Sequence, residues 1–249
     1  MSESVAISFV VPAYNEEKVL GRALDAIIAE VKRSGCAAQV IVVNNASTDD
    51  TRALAASYPE VIVVDEPEKG LVQARRAGFQ RATGALVANV DADTIVTEGW
   101  LNRVLAEFRR NPDLVALSGP YIYYDVSKSA RFAVRAFYVM GYGFYILNRF
   151  VLRVGSMLQG GNFVVRRAAL EKIGGFNPVF TFYGEDTDLA RRLHAVGAVK
   201  FTFRLPALSS GRRLLEEGLV RIGVRYSMNF IWATFARRPF TDDWIDVRR

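Results

Sequence analysis

The sequence predicts an α/β protein with a mostly parallel sheet and helices on both of its faces. Short apolar runs rich in valine and isoleucine alternate along the chain with helical segments that have one apolar face, and this alternation is typical of parallel sheets. Several of the runs end in Asp or Asn, as strands do where a sheet carries a ligand site. With 249 residues, of which 51% are apolar and 23% charged, the chain can form one large globular domain, and disordered and collagen-like classes are excluded.

The first strand is predicted at residues 6–11, a β-branched run that Pro12 ends. Asn15 is the predicted N-cap of the helix that follows, because an Asn side chain can accept hydrogen bonds from the first helical N–H groups. The inward face of that helix repeats at helical spacing, with Leu20, Leu24, Ile27, Ile28 and Val31. Gly35 ends it.

The same patterns predict the remaining elements. Strands are expected at residues 39–43, 61–64, 85–90, 114–118, 159–165 and 198–203, and helices at 70–83, 98–110 and 186–196. Two further segments, 131–153 and 219–240, combine aromatic and apolar residues with arginine and predict amphipathic helices.

The strand at residues 85–90 ends in two carboxylates, Asp91 and Asp93. Open α/β sheets bind ligands at the carboxyl ends of such strands, and two neighbouring acids are costly there unless a cation pairs with them. Carboxylate oxygens select Mg²⁺ or Mn²⁺ over zinc, and a chain with one His and one Cys offers few softer ligands. The pair therefore predicts a site for a metal and a phosphate-bearing substrate.

The net charge of +6 is unevenly distributed, because arginines cluster in the last half of the chain. Phosphate ligands or an anionic membrane surface account for this bias. Nucleic acid is not an expected partner, since no nucleic-acid-binding motif accompanies the charge. The single Cys36 excludes an intramolecular disulfide framework and favours a reducing compartment. We expect a cytoplasmic protein without a signal peptide.

The two aromatic and arginine-rich segments admit three interpretations. Aromatic and aliphatic faces flanked by Arg suit helices that lie in a bilayer interface, which would attach the protein peripherally to the inner face of the membrane. Alternatively, these segments pack against the domain or form a dimer interface. A membrane span is not expected, because the longest apolar run, 136–147, has only twelve residues and a spanning helix needs about twenty.

Six motifs occur in a fixed order at the predicted junctions. They are Val-Pro-Ala-Tyr-Asn-Glu-Glu (11–17), Asn-Asn-Ala-Ser-Thr-Asp-Asp-Thr (44–51), Ala-x-x-x-Gly-x-x-x-Ala-x-Gly (74–84), Asp-Ala-Asp (91–93), Gly-Gly-Asn-Phe (160–163) and Gly-Glu-Asp (184–186). Together they resemble the family-2 glycosyltransferases of the GT-A fold over residues 7–210. The resemblance implies inverting transfer of a sugar from a nucleoside diphosphate donor, assisted by Mg²⁺ or Mn²⁺.

The resemblance also implies an organisation of the chain. Residues 1–210 are expected to form a single GT-A domain, with a Rossmann-like nucleotide-binding half at 1–118 and an acceptor half at 119–210. Residues 211–249 are expected to form a C-terminal amphipathic helical extension. The acceptor is expected to be a saccharide or a lipid, including a lipid-linked sugar or a lipid phosphate.

By the same resemblance, Asp93 is the metal ligand, and Asp91 binds the ribose or supports the metal shell. Asp186 is the expected general base, because an attacking hydroxyl must lose its proton to a carboxylate. Glu185 lies beside it. The glycines of the Gly160-Gly161-Asn162 motif would line the junction between donor and acceptor, where a sugar can approach the backbone.

The remaining expected contacts are to the nucleotide. The loop with Pro12, Ala13, Tyr14 and Glu16 would meet the nucleoside. Asn44 and Asn45 depart from the family's commoner acidic pair, yet an Asn carbonyl can still accept from a base N–H, so uracil is the expected base.

Three arginines have alternative interpretations. Arg76 either reaches a phosphate or lies on a solvated helix face. Arg212 and Arg213 either bind the diphosphate or lie on the surface.

Two other functions are compatible with parts of this pattern. A catalytically silent module would bind a nucleoside diphosphate sugar without transferring it, but the intact Asp-x-Asp and Glu-Asp motifs argue against it. A metal-dependent nucleotidyltransferase would need a glycine-rich phosphate loop after the first strand, and residues 11–17 contain no glycine.

Overall fold

The computed structural model describes residues 5–152 and 156–241. The description leaves out residues 1–4, 153–155 and 242–249. Parts of the predicted domain, of the first aromatic segment and of the C-terminal extension therefore lie outside the described residues. In chain order the elements are β1 (Ile7–Ala13), α1 (Leu20–Ser34), β2 (Ala38–Asn45), α2 (Thr51–Ala56), β3 (Val61–Glu66), α3 (Leu71–Arg81), β4 (Leu86–Val90), β5 (Thr94–Val96), α4 (Trp100–Arg110), β6 (Leu114–Ser118), β7 (Tyr121–Tyr123), α5 (Lys128–Ile146), a π-helical segment (Leu147–Leu152), β8 (Asn162–Arg166), α6 (Arg167–Lys172), α7 (Glu185–His194), β9 (Ala198–Phe201), β10 (Ala207–Ser209), α8 (Arg212–Glu217) and α9 (Leu219–Phe235).

A seven-stranded sheet forms the centre of the fold, in the order β3-β2-β1-β4-β8-β6-β9. All neighbouring strands are parallel except β8, which runs antiparallel to both β4 and β6. The prediction of an α/β protein with a mostly parallel sheet is confirmed. Because β1, β2 and β4 are parallel, their carboxyl ends meet at one edge, where the first two motifs and the Asp-Ala-Asp motif begin.

Helices cover both faces of this sheet, as predicted. On one face, α1 and α4 pack Leu24, Ile27 and Trp100 against residues such as Phe9 of β1. On the other face, α3, α6 and α7 pack against residues such as Val10. Successive β1 residues therefore face opposite clusters, as a strand's alternation requires, and this double burial accounts for the continuous apolar runs.

The structure differs from the prediction at the edge of the main sheet. A second, three-stranded sheet in the order β5-β10-β7 lies beside the site, and its three-residue strands are too short to show a period of two. The predicted helix cap at Asn15 is wrong. Asn15 has a left-handed backbone, with φ of 51°, its side chain accepts from Thr48 N at 2.8 Å, and α1 begins only at Leu20.

The two aromatic segments form helices, α5 with its π-helical segment and α9. Packing against the domain explains only one side of α5, where Tyr138 stacks on Phe201 with ring centroids 6.2 Å apart. The other side of α5 exposes large apolar side chains. Among the described residues, no helix has the length and apolar character needed to cross a membrane.

Candidate active site

The Asp-Ala-Asp motif occupies the turn between β4 and β5. Asp91 N donates to Gly161 O at 3.3 Å, and Thr94 N donates to Asp91 O at 2.9 Å, so the turn is tied to the glycine motif before β8. The side chains of Asp91 and Asp93 are 35% and 15% exposed. Both carboxylates are therefore open enough to meet a ligand.

Both carboxylate oxygens of Asp91 already have protein partners. Arg75 Nη2 donates to Oδ1 at 3.3 Å, and the Tyr121 hydroxyl lies 3.2 Å from Oδ2 and 2.6 Å from Gly160 O. Burial raises the pKa of Tyr121 well above its ordinary value, so this hydroxyl remains a donor at neutral pH. Asp91 is thus held in one orientation.

Arg75 is a site residue that the sequence reasoning missed. Its guanidinium is almost fully buried and pairs with Glu185 as well as Asp91. Burial opposes its charge, but Glu185 and Asp91 together raise its pKa. The helical period of α3 could have identified it, because Arg75 lies three residues from both Val72 and Gly78, which are also buried.

Glu185 and Asp186 begin α7, after Gly184 in a left-handed conformation with φ of 79°. Asp186 Oδ2 accepts from Gly160 N at 3.0 Å, and Oδ1 accepts from Thr187 N at 2.7 Å. Burial raises the pKa of both carboxyls, while Arg75 counteracts the rise. The higher pKa makes Asp186 a stronger base than an exposed aspartate.

The glycines Gly160 and Gly161 join Asp91 to Asp186. Gly161 has φ of +75°, and a Cβ there would lie 2.1 Å from the Asp91 carboxyl. A Cβ on Gly160 would lie 3.4 Å from Asp186 Oδ2. The close approach and the positive φ require glycine at position 161, whereas a Cβ at position 160 would make an ordinary contact.

Arg212 connects the C-terminal segment to this site. Its Nη2 donates to both carboxylate oxygens of Glu16, at 2.6 and 2.8 Å, and to Asp93 Oδ2 at 3.1 Å. Arg212 begins α8, and α9 packs against α7. The segment predicted as an extension thus contributes a cation to the site.

The predicted nucleoside contacts lie at the carboxyl ends of β1 and β2. Pro12, Ala13 and Tyr14 line a small cavity together with Lys69 and Phe182, and Lys69 Nζ lies 3.8 Å above the Tyr14 ring.

Asn44 lies at the end of β2. Its Nδ2 donates to Asp65 Oδ1 at 2.8 Å, and within the described part of the chain no donor reaches its buried Oδ1. Hydrogen bonds from Arg52 and Asn44 lower the pKa of Asp65, so Asp65 can only accept. The Asn44 amide is therefore oriented with its acceptor unused.

Asn162 and Arg213 lie elsewhere than expected, and Arg76 occupies one of its two expected positions, the solvated helix face. The Asn162 assignment is wrong, because its side chain is fully buried and binds Trp100 Nε1 together with the carbonyls of Gly119 and Leu205. Arg76 lies on the exposed face of α3. Arg213 pairs with Glu217 at 3.0 Å and lies over the Phe182 ring.

The acids at the end of β4 fit a hard divalent cation. Their oxygen donors are the kind that Mg²⁺ and Mn²⁺ prefer. Both carboxylates already have protein partners, Arg212 for Asp93 and Arg75 with Tyr121 for Asp91.

The model of the family described as "Glycosyl transferase family 2" matches residues 8–174, more than half of the chain. The model described as "N-terminal domain of galactosyltransferase" matches residues 152–211. An uncharacterized glycosyltransferase of Mycobacterium tuberculosis is 39% identical over 110 residues, which cover 44% of this chain and 47% of the relative. A dolichyl-phosphate beta-glucosyltransferase of Trichomonas vaginalis is 31% identical over 157 residues, 57% of this chain and 47% of the relative. The chain thus spans about half the length of these curated relatives.

Solved structures share the fold at low sequence identity. The mannosyltransferase of Pyrobaculum calidifontis in complex with GDP-Man and Mn²⁺ has a TM-score of 0.68 and 21% identity, covering 95% of this chain and 64% of that chain. The S. aureus TarS 1–349 complex with UDP-GlcNAc has a TM-score of 0.62 and 16% identity, covering 94% and 74%. With the family model, the motif order and the shared fold in agreement, the chain belongs to glycosyltransferase family 2.

Proposed function

We propose that this glycosyltransferase is an inverting, metal-dependent enzyme that moves a sugar from a nucleoside diphosphate to a hydroxyl or lipid-phosphate acceptor. The observation that carries the proposal is the position of Gly160 and Gly161 between Asp91 and Asp186, which we call the Gly160-Gly161 bridge. It places Asp186, a buried carboxylate with a raised pKa, next to the acids at the end of β4.

The donor would bind along the carboxyl ends of β1 and β2. Pro12, Ala13, Tyr14 and Glu16 would surround the nucleoside. An Asn carbonyl such as that of Asn44, at the end of β2, can accept from an imino N–H, so uracil is the proposed base. Two fold neighbours were solved with donors whose bases carry such a group, GDP-Man and UDP-GlcNAc.

Asp93, supported by Asp91, would hold Mg²⁺ or Mn²⁺, which when bound neutralises the diphosphate charge that builds up as the sugar departs. Arg212 already carries a positive charge beside Asp93. We assign it to the diphosphate, where a guanidinium can bind two oxygens at once.

Asp186 would take the proton of the acceptor hydroxyl as the hydroxyl oxygen attacks the anomeric carbon. The bond from that carbon to the diphosphate breaks in the same step, the nucleoside diphosphate leaves with the bonding electron pair, and the configuration inverts. The lack of side chains at Gly160 and Gly161 would let the sugar approach the backbone beside Asp186 and Asp91.

The acceptor would be lipid-linked and reached at the cytoplasmic face of a membrane. One relative is named a dolichyl-phosphate glucosyltransferase, and α5 and α9 carry exposed apolar and basic side chains. We propose residues 1–210 as one catalytic domain with halves at 1–118 and 119–210. Residues 211–249 would be an extension that contributes Arg212.

Asp93→Asn tests the metal assignment. Titration calorimetry with UDP-sugars should show binding that Mn²⁺ strengthens in the wild type. The variant should lose this Mn²⁺-dependent gain, with an affinity lower by about 10- to 100-fold. The control is Asp113→Asn, an exposed carboxylate at the opposite end of the sheet, which should bind like the wild type. Equal Mn²⁺ dependence in the Asp93 variant would reject the assignment, and no binding of any nucleoside diphosphate sugar would reject the function.

A further inference from the structure

One side of α5 exposes a continuous row of apolar side chains, which we call the α5 stripe. Its members are Phe132, Ala136, Val139, Met140 and Phe144 of α5 and Leu147, the first residue of the π-helical segment. Phe132 is 75% exposed, Val139 60% and Phe144 54%. The spacing of three or four residues places them on one helical face, about 22 Å long at 1.5 Å per residue.

The protein's own core does not account for the α5 stripe. The opposite side of α5 makes the contacts to the domain, through Tyr138 and Tyr145 against Phe201. An amphipathic helix of a globular protein turns its polar face outward, whereas α5 turns an apolar face outward. Contiguous apolar patches of this kind mark interaction surfaces.

The charges next to the α5 stripe indicate the partner. Residues 126–152 contain four basic residues, Lys128, Arg131, Arg135 and Arg149, and no acid. Arg131 donates to the backbone carbonyls of Tyr123, Tyr124 and Val126, whereas Lys128 and Arg135 are exposed. Lys128 begins α5, where the helix dipole disfavours positive charge. These two exposed basic residues are available to an external anionic surface.

We propose that the α5 stripe docks onto an anionic lipid bilayer, with its apolar side chains in the headgroup boundary and the basic residues on lipid phosphates. A second copy of the chain fits less well, because a two-fold contact would bring the same basic, acid-free helices together. The outer face of α9 repeats the arrangement, with Val220, Val224, Ile231 and Phe235 exposed at helical spacing.

The location of α5 relates the docking to sugar transfer, and this part of the inference rests on the proposed function. Tyr138 of α5 accepts from Tyr121 N at 3.1 Å and donates to Gln159 at 2.7 Å. Both partners lie next to the Gly160-Gly161 bridge. A bilayer on the outer side of α5 would therefore be separated by α5, about 10 Å across, from the segment whose Gly160 N–H binds Asp186.

Vesicle co-sedimentation tests the docking with a double variant, Val139→Gln with Phe144→Gln. Both side chains are exposed, so the variant should fold normally. The wild type should bind vesicles of phosphatidylcholine with phosphatidylglycerol at low ionic strength and lose most binding at high salt. The variant should bind at least about tenfold more weakly, because two apolar anchors are lost. The matched control is Val179→Gln, which changes an apolar residue 59% exposed outside the stripe and should bind like the wild type.

Absence of wild-type binding at low salt, or equal binding by the double variant, would overturn the proposal. A wild-type dimer that the double variant converts to a monomer would assign the stripe to a second copy instead. Binding of the soluble donor, measured separately from vesicle binding, distinguishes this inference from the proposed function. A protein that binds UDP-sugars but no vesicles contradicts only the docking, and one that binds vesicles but no donor contradicts only the glycosyl transfer.

Discussion

Asp186→Asn is expected to lower the rate of sugar transfer by about 10²- to 10⁴-fold, the range that general acid–base catalysis contributes. The amide nitrogen of Asn cannot accept the acceptor's proton. The substitution also exchanges one hydrogen-bond acceptor, facing either Gly160 N or Thr187 N, for a donor, so a modest loss of stability accompanies it. Donor affinity, measured by calorimetry with Mn²⁺, should stay near the wild-type value.

The pH dependence of the wild type follows from the same carboxyl. Burial raises the pKa of Asp186, and only the ionised form can act as the base. Activity should therefore fall as the pH drops through this raised pKa, above the value of about 3.9 for an ordinary aspartate. The profile of kcat/KM against pH measures it.

Asp113→Asn controls for the loss of a carboxylate, and it should leave both the rate and the profile unchanged. Transfer by the Asp186 variant at a rate near that of the wild type would remove Asp186 from the role of base. It would also be the result expected of an acceptor phosphate that needs no deprotonation.

Arg75→Met is expected to lower the free energy of unfolding by about 3–5 kcal/mol at a pH where Glu185 is ionised in the folded wild type, the usual cost of leaving a buried charge without its partner. Methionine retains much of the apolar volume of the side chain but leaves Glu185 buried without its cation. The Asp91 carboxylate also loses one of its two supports, so donor binding should weaken. Urea unfolding at several pH values measures the first effect.

The sign of the pH effect in this variant is fixed by Glu185. In the folded wild type burial raises the pKa of Glu185 to about 7, although Arg75 lowers it, and without Arg75 burial raises this pKa further. The variant's deficit relative to the wild type should therefore be small below a pH of about 7, where Glu185 is protonated in both folded proteins. It should grow as the pH rises above that value, where Glu185 ionises in the folded wild type but not in the folded variant.

The matched control is Arg76→Met, the neighbouring arginine on the exposed face of α3, with a change within about 0.5 kcal/mol. Equal effects of the two substitutions, or a deficit for Arg75→Met that does not grow with pH, would contradict the assigned role of Arg75.

The sequence was sufficient to predict the main sheet because its strands are buried on both faces. A run such as residues 114–118 is then apolar throughout, and the structure has β6 at these residues. The three-residue strands of the second sheet offer no such signal. These strands form because the segments around Tyr121 and Ser209, which are distant from β4 in sequence, lie next to its end in the fold.

The candidate site likewise contains some residues that the sequence predicted and others that it did not. Asp91, Asp93 and Asp186 were identified from short motifs, and the structure brings their segments together through Gly160 and Gly161. Arg75 occupies an unspecified position of the 74–84 motif, and its partners are Asp91 and, 110 positions away, Glu185. Asn162 stands within a motif, yet its buried hydrogen bonds to distant carbonyls show a structural role that local sequence does not display.

The anomeric configuration of the product tests whether Asp186 acts on the acceptor across the sugar from Asp91 and Asp93. The wild type would be incubated with Mn²⁺, the donor selected by calorimetry and lipid acceptors in anionic vesicles, and the new linkage assigned by NMR. The account predicts metal-dependent transfer with inversion, so that an α-linked donor yields a β-linked product. A product that retains the donor's configuration, or transfer that proceeds equally without metal, would contradict it.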